Sequence, residues 1–352
     1  SYARPTGRPG PVDPQDVLAD LDDQQKAVAT TLTGPVVVVA GAGTGKTRAL
    51  TRRIAYGVAT ETYDPAGVLA VTFTTRAAGE MRTRLARLGV VGVAARTFHS
   101  AALSQVRYLW PRVYGRAFPD VLDNPDAMIA DLAGAAGIGA SVRDLATEIG
   151  WAKVSNVAPH QYRDQAQAQS RRVSGASPTQ VARLYATYVD ALAAADRVDL
   201  EDVLLAAVGL LTTQPAAAHV VRQRYRWFSV DEFQDVSALQ MRLLECWVGE
   251  RDDVCVVGDP LQSIYSFAGA RPAMLEEFAR RFPGATALEL THNYRSTPQV
   301  VSAAQAVAVR GRPVASPTSR PLQATRPPGV AVQLREAANQ HDEADTVARS
   351  VR

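Results

Sequence analysis

The sequence predicts an α/β fold in which helices cover both faces of a parallel sheet. Three observations predict it. Apolar runs of strand length recur along the chain without polar alternation, as expected of strands buried on both faces. Each run is followed by turn chemistry and then by a stretch of helical periodicity. The first run also closes on a glycine-rich turn that leads directly into a helix.

Taken in order, Val36-Val37-Val38-Val39 is the first run, and periodicity after its glycine turn continues to about Val58. Val68–Phe73 is a second strand, followed by a helix from about Thr75 to Leu88 with Ala77, Met81, Leu85 and Leu88 on one face. Val91–Arg96 gives a third, and Trp227–Val230, Val254–Val257 and Ala287–Leu290 continue the series. Between about Ser104 and Val198 the pattern is helical only, over Asp126–Ala133, Val142–Val154 and Thr179–Ala195. A helical subdomain inserted into the sheet domain is expected there. After Thr297 we expect one helix, an Arg/Pro-rich stretch from Arg310 to Pro328, a strand at Val330–Arg335 and the start of a helix at Asp342–Arg352. Residues 1–15, rich in Pro and Gly, read as a flexible tail.

Composition bounds the rest. A chain of 352 residues holds two or three domains, each large enough for its own core. Apolar content is 47%, yet no window approaches the ~18 uninterrupted apolar residues of a membrane helix. Cys246 and Cys255 lie in apolar runs and read as buried thiols of a reducing compartment. A net charge of +3 is too small to announce a nucleic-acid partner. Lysine occurs only at Lys26, Lys46 and Lys153, and arginine supplies the other cations. That usage suits GC-rich coding sequence, with a DNA-specific reason as the alternative.

The segment Ala40-Gly41-Ala42-Gly43-Thr44-Gly45-Lys46-Thr47 has the pattern of a phosphate loop, except that Ala40 stands where glycine usually opens it. In such a turn, backbone N–H groups converge on phosphate oxygens at a helix N-terminus. Lys46 would reach the β/γ phosphates and the Thr47 hydroxyl would hold Mg2+. A dinucleotide fingerprint fails, because Lys46 occupies its third glycine position. The second motif, Asp231-Glu232-Phe233-Gln234-Asp235, follows the apolar run ending at Val230. Phosphoryl transfer to water needs one carboxylate for the metal, here Asp231, and one for the attacking water, here Glu232. A solvated acidic loop is the bland reading of those residues taken alone.

In this order and form the motifs resemble those of superfamily 1A DNA helicases of the UvrD/PcrA/Rep family. Further blocks extend the likeness from about Leu21 to the C-terminus. Leu21-Asp22-Asp23-Gln24-Gln25 resembles the Q motif, and Thr72-Phe73-Thr74-Thr75-Arg76 opens a block like motif Ia. Thr97-Phe98-His99-Ser100 resembles motif Ib, Val257–Tyr265 motif III, and Asn293-Tyr294-Arg295-Ser296-Thr297 motif IV. The resemblance implies a RecA-like phosphate-loop NTPase domain over residues 16–103 and 199–297. It also implies an all-helical insertion over 104–198 and the opening of a second RecA-like domain over 298–352.

For the site, the resemblance implies ATP and Mg2+ held by Gln25 at the adenine edge, the loop from Ala40 through Thr47 with Arg48, and Tyr294 stacked on adenine. Lys46, Asp231, Glu232, Gln262 as γ-phosphate sensor and Arg295 as arginine finger would act on the phosphates, with Thr47 and Asp231 on the metal. Phe73, Thr74, Arg76, His99, Tyr265 and Phe267 would line a track for single-stranded DNA. Bases stack on such rings for roughly 1–3 kcal/mol each without sequence preference. An ordinary core aromatic is the alternative for each ring, and a solvated helix arginine for Arg76. The implied function is ATP-dependent 3′-to-5′ translocation on single strands and single-strand/duplex junctions, in DNA repair. The setting would be cytoplasmic and nucleoid-associated; no membrane and no particular protein partner is indicated.

Two departures qualify this. Phe267-Ala268-Gly269 stands where the family usually has Trp-Arg-Gly, so a weaker grip on DNA is expected there. Counterparts of motifs V and VI are missing before Arg352. Their arginine finger can be worth about 10³–10⁵ in rate. The expectation is therefore an N-terminal portion that binds Mg-ATP, hydrolyses it poorly alone and does not unwind duplex processively. The alternatives are a truncated module that binds ATP and single-stranded DNA without efficient turnover, and an unrelated phosphate-loop switch or kinase. Asp199-Leu200-Glu201-Asp202 reads as the acidic N-terminus of a helix, with a metal cluster as its alternative.

Overall fold

Short runs rich in apolar residues form the strands of the main sheet, and many of the helices begin on a side-chain cap. The structure, a computed structural model, describes residues 12–263, 269, 273–310 and 321–351. The chain divides into two units, residues 1–290 and 291–352, each described by itself.

The first unit opens with α1 (Pro14–Leu18) and α2 (Asp23–Thr30), capped by Asp13 and Asp22. Helix α1 begins inside the stretch expected to be a flexible tail, because Asp13 accepts from the Gln15 N–H and Val17 is buried. Then come β1 (Val36–Ala40), α3 (Lys46–Ala59), β2 (Val68–Thr72), α4 (Thr75–Arg87), β3 (Ala94–Thr97) and α5 (Phe98–Tyr114). Thr74 caps α4, and Thr97 with Ser100 forms a reciprocal capping box on α5.

The helical stretch follows: β4 (Asp120–Val121), α6 (Pro125–Ala135), α7 (Val142–Val154), α8 (Pro159–Ala168), α9 (Pro178–Ala194) and β5 (Arg197–Val198). Helix α8 and the two-residue strands were not expected; β4 and β5 pair in parallel and tie the start of this stretch to its end. Its core is separate from that of the sheet and is built on Ile129, Leu145, Trp151, Tyr162 and Tyr188. The chain returns through α10 (Leu200–Thr213), α11 (Pro215–Arg224), β6 (Trp227–Val230), α12 (Ala238–Val248), β7 (Val254–Gly258), α13 (Ala273–Arg281) and β8 (Thr286–Leu290).

The sheet order is β3-β2-β6-β7-β1-β8, with every pairing parallel. Unbroken apolar strands are explained by two cores. Val37, Leu69, Val71, Val230 and Val256 face one core, with α5, α10 and α12. Val36, Val38, Ala70 and Val257 face the other, with α3 and α4. Cys246 and Cys255 are both buried thiols. Among the described residues no single helix is long and apolar enough to cross a membrane.

The second unit holds β9 (His292–Asn293), α14 (Pro298–Arg310), β10 (Gln323–Ala324) and α15 (Gln340–Val351). The strand expected at Val330–Arg335 does not form: the segment pairs with no strand among the described residues, and Leu334 is 100% exposed. Pairing falls earlier instead, where Gln323 and Ala324 lie parallel to His292 and Asn293.

Candidate functional site

Strands β1 and β6 flank β7, so the loops at their C-terminal ends open into one crevice, the place where open parallel sheets bind ligands. From β1 the chain passes through Gly41–Gly45 into α3. Gly43 and Gly45 have φ of 73° and 84°, the left-handed region that a side chain would strain. Close approach adds a second reason at Gly45, where a Cβ would lie 2.7 Å from Gln25 Nε2. That amide donates to the Thr44 carbonyl at 2.9 Å, and Thr44 Oγ1 donates to the Gly41 carbonyl at 2.8 Å. Gln25 is thus built into the loop's support. Arg48, by contrast, donates to the Asp20 carbonyl at 2.7 Å.

Across the crevice, the Thr47 hydroxyl donates to Asp231 Oδ2 at 2.7 Å. Two neighbouring ligands of an octahedral Mg2+, each about 2.1 Å from the ion, lie about 3.0 Å apart. This oxygen pair has nearly that spacing already. Burial, and secondarily the charge of Glu232, raises the Asp231 pKa above the ordinary carboxylate range, while the Thr47 bond opposes the shift. Lys46, only 9% exposed, places Nζ 3.4 Å from Glu232 Oε2 but has no aligned hydrogen-bond partner. A buried ammonium in that state, beside a glycine turn at a helix N-terminus and a paired Thr/Asp oxygen set, fits a magnesium nucleotide.

Glu232 itself has φ 52° and ψ 43°, a left-handed conformation unusual for a side-chain-bearing residue and costly to hold. Gln234, to which sequence reasoning gave no role, holds it. Its Nε2 donates to Glu232 Oε2 at 2.8 Å, and its Oε1 accepts from the Asp259 N–H at 2.9 Å. Asp259 Oδ2 in turn accepts from Gln262 Nε2 at 2.5 Å. A polar chain therefore runs from Glu232 through Gln234 and Asp259 to Gln262. Gly258 makes it possible, since a Cβ there would stand 2.7 Å from Gln234 Oε1. Gln234 stands within the Asp-Glu-Phe-Gln-Asp motif, but its link to Asp259 depends on β6 and β7 being neighbours.

The ends of β2 and β3 carry the residues expected on a DNA track. Phe73 is half-buried and Thr74 caps α4, its Oγ1 accepting from the Ala77 N–H at 3.1 Å. Arg76 is highly exposed and pairs with Glu80 at 3.1 Å. His99 stands in the first turn of α5 with Nε2 buried and unpartnered, and burial lowers its pKa, which favours a neutral ring. Tyr265 and Phe267 lie outside the described residues. In the second unit, the Asn293 side chain accepts from the Arg295 and Ser296 N–H groups at 3.0 and 2.8 Å, shaping the turn that bears Tyr294 and Arg295.

The acidic turn at Asp199 is a helix cap with a cation in it. Asp199 and Asp202 close a capping box on α10, and Lys153 Nζ donates to them at 2.6 and 2.8 Å.

The profile of the UvrD/REP helicase N-terminal domain matches residues 21–283. The chain is 46% identical to the ATP-dependent DNA helicase UvrD2 of Mycobacterium tuberculosis over 351 residues, covering 95% of this chain and 50% of that protein. It is 35% identical to UvrD1 of the same organism, over 97% of this chain and 46% of the relative. It is 31% identical to the ATP-dependent DNA helicase PcrA of Staphylococcus aureus, over 95% and 46%. The chain spans about half the length of these curated relatives.

Proposed function

The chain belongs to the UvrD/REP helicase family, and on that premise we propose that it binds Mg-ATP in the crevice between β1 and β6 and couples ATP hydrolysis to movement along single-stranded DNA. The observation that carries the nucleotide half is the meeting of Thr47 with Asp231 beside the unpartnered Lys46 ammonium. Thr47 and Asp231 would hold Mg2+, which when bound neutralises charge on the phosphate oxygens.

Lys46 would turn its ammonium from Glu232 to the phosphates, releasing that carboxylate to orient and deprotonate the attacking water. Gln234 keeps Glu232 aimed and passes its position to Gln262, the proposed γ-phosphate sensor. The loop from Ala40 to Thr47 cradles the phosphates, Gln25 supports that loop and meets adenine with its free amide oxygen, and Arg48 lies at the rim. Tyr294 and Arg295 are proposed for adenine stacking and for the arginine finger. Phe73, Thr74, Arg76 and His99, with Tyr265 and Phe267, are proposed to meet the DNA. The names of the relatives support DNA as the partner; 3′-to-5′ polarity, a preference for junctions and a place in DNA repair rest on family resemblance.

The test is ATP turnover by this chain with and without single-stranded DNA, with Lys46→Ala as the blank. Weak turnover that needs Lys46 and rises with DNA is expected. Turnover indifferent to Lys46 would sink the assigned site, and turnover that ignores bound DNA would sink the coupling.

A further inference from the structure

A cavity of about 480 Å³ opens beside β3, the free edge strand of the sheet, between α4, the first turn of α5 and the end of α11. Three arginines line it, Arg82 from α4, Arg96 from β3 and Arg224 from α11, and no carboxylate does. Several exposed arginines of this chain are neutralised, as in Arg76–Glu80, Arg226–Asp253 and Arg281–Glu245, while others, such as Arg107 and Arg143, form no ion pair among the described residues. Among the described residues Arg82, Arg96 and Arg224 form no ion pair. Arg82 Nη1 donates to the Ala95 carbonyl at 2.6 Å, and the Arg224 guanidinium stands 5.8 Å from the Tyr225 ring centre. Three like charges facing one cavity repel each other unless an anion joins them, and the guanidinium fork matches phosphate oxygens.

Position indicates which anion. Thr75, Thr97 and Ser100 also line the cavity. They stand at the C-terminal ends of β2 and β3, next in sequence to Thr74 and within the same turn as His99. We propose that this trough takes phosphates of the DNA strand as it leaves the Phe73–His99 end, so that rings and arginines form one path. The proposal rests on the reading of that end as strand-binding. Phosphate is favoured over an acidic peptide because Arg82, bonded at Ala95, covers the edge strand where an added peptide strand would lie.

The experiment measures binding of a labelled single-stranded oligothymidylate to the full chain across a salt series. Each phosphate contact on a single strand contributes about 0.7 to the slope of log affinity against log salt. Arg96→Gln with Arg224→Gln should flatten the slope by about 1.4 and weaken all base sequences alike. The paired lysine substitutions, which keep the charge, should retain the slope and show that the fold is intact. Phe73→Ala should lower affinity with the slope unchanged.

An unchanged slope in the glutamine pair, with Phe73→Ala still weakening binding, overturns the trough and leaves the strand-binding end standing. A flattened slope with Phe73→Ala silent keeps phosphate contact at the arginines but overturns the single path of rings and arginines. No binding by the unaltered chain at low salt overturns both. Displacement of the oligonucleotide by a charge-matched polyglutamate peptide as readily as by unlabelled DNA would overturn phosphate recognition in favour of an acidic peptide.

Discussion

Two of the chain's three lysines are buried, and their surroundings differ in one respect that separates a working site from a structural joint. Lys153, 1% exposed, is saturated: Asp199 and Asp202 accept from it, and the Tyr188 ring lies 5.1 Å away. It fastens α7 of the helical stretch to the N-terminus of α10, and Tyr188 of α9 donates to the same Asp199 oxygen at 3.0 Å. Lys46 faces a half-open Glu232 and lacks an aligned acceptor. A buried charge whose partners are complete holds elements together. One whose partners are incomplete costs stability until a ligand arrives.

The largest effect that would break this contrast is in stability. Lys153→Met leaves Asp199 and Asp202 without their cation, and loss of one member of a buried pair costs about 3–5 kcal/mol. Lys46→Met removes a charge the fold does not satisfy and should fall within about 1 kcal/mol of the unaltered chain while abolishing nucleotide binding. Urea unfolding of both variants checks it; equal losses would mean that the two lysines are not different in kind. The Lys153 deficit should also grow with pH. Burial already raises the Asp202 pKa against the pull of Lys153. A carboxyl raised in the folded state contributes stability that is present below its unfolded pKa and lost as pH rises through the folded one.

How much of this contrast could be read from residues alone differs between the two sites. The strands that lead to Lys46 and Asp231, β1 and β6, are largely apolar runs bounded by turn chemistry, and their local pattern suffices. Lys153 gave no signal, because its partners stand 46 and 49 residues away and no local spacing brings them together. Helix α8 escaped for a related reason: in His160–Ala168 only Tyr162 and Ala166 are buried, too few to print a period. Conversely, Val330, Val332 and Leu334 alternate like a strand but are exposed and unpaired among the described residues. Alternation marks a strand only where a neighbour exists to bond with it.

A smaller effect sharpens the nucleotide side. Because burial penalises ionised Asp231, Asp231→Asn should raise the melting temperature of the nucleotide-free chain by about 1–3 °C near neutral pH. The sign follows from the raised folded pKa. The aspartate's contribution is present below its unfolded value of about 3.9 and lost as pH rises through the folded one. The advantage of the asparagine should therefore close as pH falls, and Mg2+ with ATP should stabilise only the aspartate form. Melts across a pH series check it, and an aspartate form that is the more stable at neutral pH would contradict the assigned burial cost.

The smallest effect concerns backbone strain, which also differs between the two regions. Asp199 caps its helix from an ordinary extended conformation, φ −91° and ψ −178°, whereas Glu232 sits in the left-handed region. Alanine and glycine at 232 both delete the carboxylate, its contact with Lys46 and its bond to Gln234, so a comparison of the two isolates the backbone. Glycine normally costs stability relative to alanine, but at a left-handed position the order reverses by roughly 1 kcal/mol. Glu232→Gly should thus unfold at higher urea than Glu232→Ala, with neither turning over ATP. If alanine proves equal or better, the left-handed turn is not strained in solution, and the aim of Glu232 then rests on Gln234 alone.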